Sequence, residues 1–322
     1  MASTTGNLKQ ITNLTEEGAR EMLEALRWPN GAICPRCGAD RPYKLAPKAD
    51  SKRPVRPGVW KCRAGECRKQ FTVTVGTVME RSHIPLKTWL LAFHLMSSSK
   101  KGFSAHQMHR NHGIDLKSAW FLAHRIREAM KREPLAGKLG GGSGDVEADE
   151  TYVGGRPRAY EKSKVGRPGR DSKKVCVVAL VERGGDVRSF PMANRMVTGT
   201  SLRVMIREQV ATNARLFTDE LNAYEKVGKE FADHQTVVHS EKEYVRGEAH
   251  VNTVEGFFSI LKRGVNGVYH HVSRQHLGRY LSEFDFRYNG RKLTDGERTA
   301  LAIRGAEGRR LTYRQPAACP AR

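Results

Sequence analysis

Apolar residues recur every three or four positions over 15–27 (TEEGAREMLEALR), the spacing of a short amphipathic helix. The same period runs through three stretches between about 86 and 132: LKTWLLAFHLMSS, FSAHQMHRNHG and DLKSAWFLAHRIREAM, the second ending at Gly113. LAGKLGGGSG, at 135–144, then reads as a nearly structureless linker. Beyond it the period shortens. GDVEADETYVGG predicts an extended segment, and VCVVALVERGGDVRSFPMA predicts two strands joined by a turn at Arg-Gly-Gly-Asp. A helix over 199–211, a short strand in ARLFTDE and a helix in LNAYEKVGKEF follow. Last comes HVNTVEGFFSILKR, at 250–263, where Val254, Phe257, Phe258, Leu261 and Val265 fall on one helical stripe. Hairpin strands mixed with helices make the second half an α/β or α+β domain.

Composition adds a direction. The chain has 322 residues and a net charge of +22, enough length for two or three units and too much positive charge for an average enzyme surface. Such an excess of Lys and Arg favours a polyanion, most simply nucleic acid, through phosphate contacts and counterion release. No run of about 18 apolar residues predicts a membrane span, and MASTTGNLKQ lacks the apolar core of a secretory signal.

Four of the six cysteines cluster. ICPRCG holds Cys34 and Cys37, KCRAGEC holds Cys62 and Cys67, and 24 residues lie between the pairs. Tetrahedral zinc wants four soft thiolates, and two tight turns supply two each, so a zinc ribbon is expected, with QFTVTVGTVM as one of its strands. Cys176, inside VCVVALV, reads as core, and Cys319 carries no readable message. The segment FSAHQMHRNHGIDLKSAWFLAHRIREAM fits a helix-turn-helix. Lys117, Ser118 and Trp120 would stand near the start of its second helix, where base edges are usually contacted, and Arg125 and Arg127 would face phosphates. The histidines of this region (His106, His109, His112, His124) read as surface or packing residues.

The remaining chemistry is acidic. Alternation along EADETYVGG places Asp149 and Glu150 on opposite faces of a strand. Asp219 ends the strand in ARLFTDE, and Glu255 and Lys262 lie almost above one another at the edge of the apolar helical stripe. Each acid alone is unremarkable. Their order and spacing, with 35 residues between Asp219 and Glu255 and six between Glu255 and Lys262, are not.

With CPRC and CRAGEC, EADETYVGG, LFTDELNAY, HVNTVEGFFSILKRG and VYHHVSRQHLGRYLSEFDFRYNGRK in this order, the chain resembles the DDE transposases of bacterial insertion sequences, in the family with a zinc ribbon ahead of a ribonuclease-H-like core. The resemblance covers about residues 15–300. It implies a multidomain architecture: an N-terminal helix (1–28), a zinc ribbon (29–82), a helix-turn-helix-like unit (83–134), the linker (135–144), an α/β ribonuclease-H-like catalytic domain with a mixed sheet (145–295) and a basic tail (296–322). It further implies that Asp149, Asp219 and Glu255 hold two Mg²⁺ or Mn²⁺ ions, that Lys262 touches DNA phosphate, and that zinc is structural. Asn252, one turn before Glu255, competes for the third position; a carboxylate is the better ligand for Mg²⁺. Glu150 is the less favoured acid because it faces away from Asp149.

Further DNA contacts are expected from Arg263 and from the basic segment 156–174, which carries Arg156, Arg158, Lys162, Lys164, Arg167, Arg170, Lys173 and Lys174. The implied partners are the element's terminal repeats and target DNA, bound by a homodimer or larger assembly in the cytoplasm of a prokaryote, at its nucleoid. Two rival readings remain at this point: a DNA-binding regulator without catalysis, and a metal-dependent nuclease that does not join ends.

Overall fold

The structure is a computed structural model, and it describes residues 5–46, 55–132, 137–142, 144–154, 174–193, 197–219, 224, 227–237 and 248–312. The basic segment from Arg156 to Lys173, and most of the helix expected over 221–231, lie outside the described residues. Contacts divide the chain into two units. One comprises residues 1–99, 103–131 and 292–322; the other comprises 100–102 and 132–291.

The first unit joins the ribbon and the helices. Helices α1 (Leu8–Thr12) and α2 (Glu16–Arg27) lead in, α2 capped by the Thr15 side chain on the Gly18 amide. Three two-residue strands, β1 (Tyr43–Lys44), β2 (Trp60–Lys61) and β3 (Gln70–Phe71), form an antiparallel sheet. The strand expected in QFTVTVGTVM is therefore confined to its first two residues, and the chain turns after Phe71. Trp28 packs edge-on against Trp60 and Phe71, tying the ribbon to the end of α2.

Helices α3 (Leu86–Ser98), α4 (Ala105–His112) and α5 (Leu116–Ala129) form where the apolar period placed them. Gly113 closes α4 with a positive φ of 64°, a conformation that a side chain would oppose. Asp115 caps α5 by accepting from the Lys117 and Ser118 amides. The helix-turn-helix expectation needs correcting in one respect. Helix α5 is buried from Leu122 to Arg127 because it packs among α3, α4 and a C-terminal helix, α9 (Asp295–Arg304). Arg125 stacks on Phe121 and donates to the Glu80 carbonyl at 2.8 Å, and Arg127 is 2% exposed. Neither guanidinium is presented to DNA phosphates. Lys117, in the first turn of α5, is exposed.

A second correction concerns the C-terminus. The stretch expected to be a basic tail opens with α9, whose capping box (Thr294 with Glu297) starts a helix that buries Thr299, Ala300, Ala302 and Ile303. It packs against α2, α3 and α5, so the first unit is built from both ends of the chain.

The second unit is a five-stranded mixed sheet, with helices identified for both faces by the core clusters. Its strands are β4 (Asp145–Val153), β5 (Val175–Glu182), β6 (Val187–Met192), β7 (Arg215–Asp219) and β8 (Asp233–Val237), in the order β6-β5-β4-β7-β8. The β5–β6 hairpin and its pairing to β4 are antiparallel, whereas β4, β7 and β8 run parallel. On one face Val146, Ala148, Val178 and Leu180 pack with Leu202 and Ile206 of α6 (Gly199–Gln209) and with Tyr224. On the other, Val177, Ala179 and Val181 meet the stripe Val254, Phe257, Phe258, Leu261 and Val265 of α7 (Asn252–Gly264) and its π-helical extension. Leu277, Leu281 and Phe284 of α8 (Arg274–Asn289) complete that layer. A strand covered on both faces needs no polar alternation, which is why VCVVALV reads as an unbroken apolar run.

Within the glycine-rich linker the described residues 137–142 are docked, not structureless. Leu139 is 2% exposed within the core, its amide donates to the Gln209 carbonyl at 2.8 Å, and its carbonyl accepts from Ala211 at 2.9 Å. One leucine in a run of glycines is enough to dock it.

Candidate functional site

In the ribbon, the first knuckle turns at Gly38 (φ 73°) and the second at Arg68 (φ 47°). The four sulfurs of Cys34, Cys37, Cys62 and Cys67 all lie within 4.8 Å of one another. Cys34 Sγ is 3.9 Å from Cys67 Sγ, and Cys37 Sγ is 3.6 Å from Cys62 Sγ. Tetrahedral zinc with Zn–S bonds of about 2.3 Å would set its sulfurs about 3.8 Å apart. Burial alone would push the Cys34 thiol up, yet the amides of Arg36 and Cys37 aimed at its sulfur bring it down to about 7. Amides of Ala39 and Ala64 point likewise at Cys37 and Cys62. The donor set is that of a structural zinc site; glycine at position 38 suits its left-handed turn, whereas nothing in the sequence signals the positive φ of Arg68.

The second cluster is acidic. Parallel pairing of β4 with β7 stops at Ala148 and Thr218, and among the described residues no strand pairs with β4 beyond it on that side. Asp219 ends β7 just past that last pair. There the carboxylates of Asp149, Glu150 and Asp219 come within 4.8 Å of one another. Alternation is obeyed, since Glu150 turns toward Tyr224 and the α6 face while Asp149 shares the α7 face with Glu147. The reason for disfavouring Glu150 fails because two side chains on opposite faces can both reach round the strand past its last pair with β7. Tyr224, wholly buried, donates its hydroxyl to Glu150 at 2.8 Å.

Burial raises the Asp149 carboxyl to about 7, helped by the charges of Asp219 and Glu255 and opposed by the Glu150 amide and Lys262. Burial and Asp219 raise Glu150 to about 7 as well. Glu255 is exposed in the first turn of α7 and Lys262 is exposed in its last, both with charges that act on Asp149. Asn252, the first residue of α7, is exposed too, as is Arg263. Gathered carboxylates that repel one another in a half-buried niche, with oxygen as the donor atom throughout, suit a hard divalent cation. On chemistry alone, therefore, the residues present fit Mg²⁺ or Mn²⁺.

An α/β domain with acids converging at the ends of parallel strands, accompanied by a four-cysteine ribbon, has the makings of a metal-dependent nucleic-acid enzyme. The comparisons specify which. Residues 141–289 match the family model described as the ISXO2-like transposase domain, and residues 14–70 match the transposase zinc-ribbon domain. Residues 14–70 and 141–289 thus carry, in this order, the zinc ribbon and the DDE-type domain of insertion-sequence transposases. The chain is also 27% identical, over 86% of its length and 92% of the relative's, to an "Uncharacterized protein in transposable element ISH50" from Halobacterium salinarum. No solved structure matches the chain.

Proposed function

We propose that the protein binds the terminal repeats of its own insertion sequence, cuts the DNA ends and joins their 3′-hydroxyls to target DNA. The observation that carries this reading is the meeting of Asp149 and Asp219 just past the last β4–β7 pair, within a domain matched by a transposase family model. The strand order, with three antiparallel strands continued by two parallel ones, supports a ribonuclease-H-like core.

Two divalent ions held by Asp149, Asp219 and Glu255 would activate the attacking oxygen, stabilise the leaving oxygen and neutralise phosphate charge. Asp149, on the central strand, would be a ligand to the ions, and Glu150, in the same carboxylate group, would offer a further oxygen. Tyr224 orients the Glu150 carboxylate. Lys262 and Arg263, exposed at the end of α7, supply positive charge for the DNA backbone. The ribbon, with zinc on its four cysteines, and the exposed Lys117 would contribute to end recognition. Cutting and joining two ends calls for at least a dimer on DNA, working at the nucleoid in the cytoplasm of a prokaryotic host.

The test is an incubation of labelled element ends with Mn²⁺ and a plasmid target. Joined product that disappears in Asp149→Asn supports the proposal. Cleavage without joining would leave a nuclease, and binding without either would leave a DNA-binding regulator.

A further inference from the structure

Glu147 has no solvent exposure, yet it carries a charge that neither metal cluster uses. It lies on β4 two residues before Asp149. Its Oε2 accepts from the Thr253 amide at 2.8 Å and the Val254 amide at 3.0 Å, and its Oε1 accepts from the Thr253 hydroxyl at 2.9 Å. These are the first amides of α7, where the N-cap residue, Val251, has no side-chain oxygen to offer. A carboxylate from the neighbouring strand does the capping instead.

Arg183, just past β5, extends the contact. It donates to Glu147 at 2.7 Å, to Asp145 at 3.2 Å and to the His250 carbonyl at 2.8 Å, and its guanidinium sits 4.0 Å from the centre of the Phe217 ring. Glu147, Phe217 and Thr253 each precede by two residues one of the three acids that would bind metal: Asp149, Asp219 and Glu255. One ion pair, its carboxylate buried and its guanidinium partly so, therefore touches all three acid-bearing elements at the same offset.

We propose that Glu147 and Arg183 are positioning residues that fix α7 against β4 and β7, and so set where the third metal ligand stands. The inference rests on the two-metal reading for its consequence, but not for the clamp itself. A charged cap bonded to two helix amides and an arginine has one preferred geometry. Without it, α7 would still be held by its apolar stripe, which resists separation from the sheet far better than it resists sliding along it.

The experiment uses the full chain with Glu147→Gln and, as a milder change that keeps the buried carboxylate and Arg183 intact, Thr253→Val. Two quantities are read without catalysis: amide hydrogen exchange across 251–258, and Mn²⁺ binding followed by loss of the free-ion paramagnetic signal. Exchange across 251–258 is expected to speed up about tenfold or more in Glu147→Gln and less in Thr253→Val, while 175–182 in β5 stays protected. Mn²⁺ affinity should fall roughly 10- to 100-fold in Glu147→Gln, the range seen when groups behind metal ligands are removed. Unchanged exchange over 251–258, or a loss of protection spread evenly over β5 as well, overturns the clamp. Normal Mn²⁺ affinity with a loosened α7 overturns the positioning role. If Asp149→Asn binds Mn²⁺ as well as the unaltered chain does, the two-metal reading fails, and the exchange result alone decides the clamp.

Discussion

Tyr224 donates its hydroxyl to Glu150 across 2.8 Å from a fully buried position, so a phenol in the core on the α6 face holds the carboxylate that turns toward it. Burial and the Glu150 charge push the Tyr224 hydroxyl well above its ordinary range, which keeps it protonated as a donor. Tyr224→Phe should destabilise the fold by about 1–2 kcal/mol, the usual effect of stranding a buried acceptor. The loss should be larger at pH 8 than at pH 6, because only the ionised carboxylate needs the donor strongly. Thermal unfolding at the two pH values measures it.

The metal-free protein should be more stable near pH 5 than near pH 8. Asp149, Glu150 and Asp285 are all held up to about 7 in the fold, chiefly by burial. Between their unfolded values near 4 and about 7, the folded state therefore binds more protons than the unfolded one. Stability then falls as pH rises through that window. Mg²⁺ or Mn²⁺ should reverse the trend above pH 7 by holding Asp149 and Glu150 ionised, while Asp149→Asn should flatten it. Melting temperatures from pH 5 to 8, with and without metal, check the sign.

Glu255→Ala should abolish metal-dependent cleavage of element ends, whereas Asn252→Ala should retain it within roughly tenfold. A carboxylate whose charge already acts on Asp149 is the stronger ligand for a hard cation. A gel assay on labelled ends with Mg²⁺ compares the two variants, and the opposite ranking would assign the third position to Asn252.

Removing zinc should unfold the ribbon and leave the helices. Two-residue strands bury too little apolar surface to persist without the metal. Chelation should therefore change the emission of Trp28 and Trp60, which are packed edge to face, with little loss of far-ultraviolet helical signal. Cys62→Ser should reproduce the change and bring the zinc content below one ion per chain.

Much of this was legible in the sequence where one periodicity met one neighbour. The apolar stripe of α7 and the β5–β6 hairpin follow from spacing and a turn signal. So do the knuckle pairs Cys34–Cys37 and Cys62–Cys67, and the motif order brought Asp149 and Asp219 together before any coordinates did. What escaped depends on partners distant in the chain. Glu150 was set aside on strand alternation, because no local pattern reveals that β7 ends beside it at Asp219. Arg125 and Arg127 look like DNA contacts on a helical wheel, and only the packing of α5 among three other helices hides them. Glu147 reads as one more acid on a strand until Thr253, more than a hundred residues later, is found beneath it.

The return of α9 to the first unit sets an order on synthesis. A ribosome delivers the ribbon and α2 to α5 first, but the helix that closes over them emerges after the whole sheet unit has been made. Throughout translation, the nascent first unit thus lacks one of its walls. A copy of the gene stopped shortly after residue 291 would give a product with Asp149, Asp219 and Glu255 all present and the first unit unfinished.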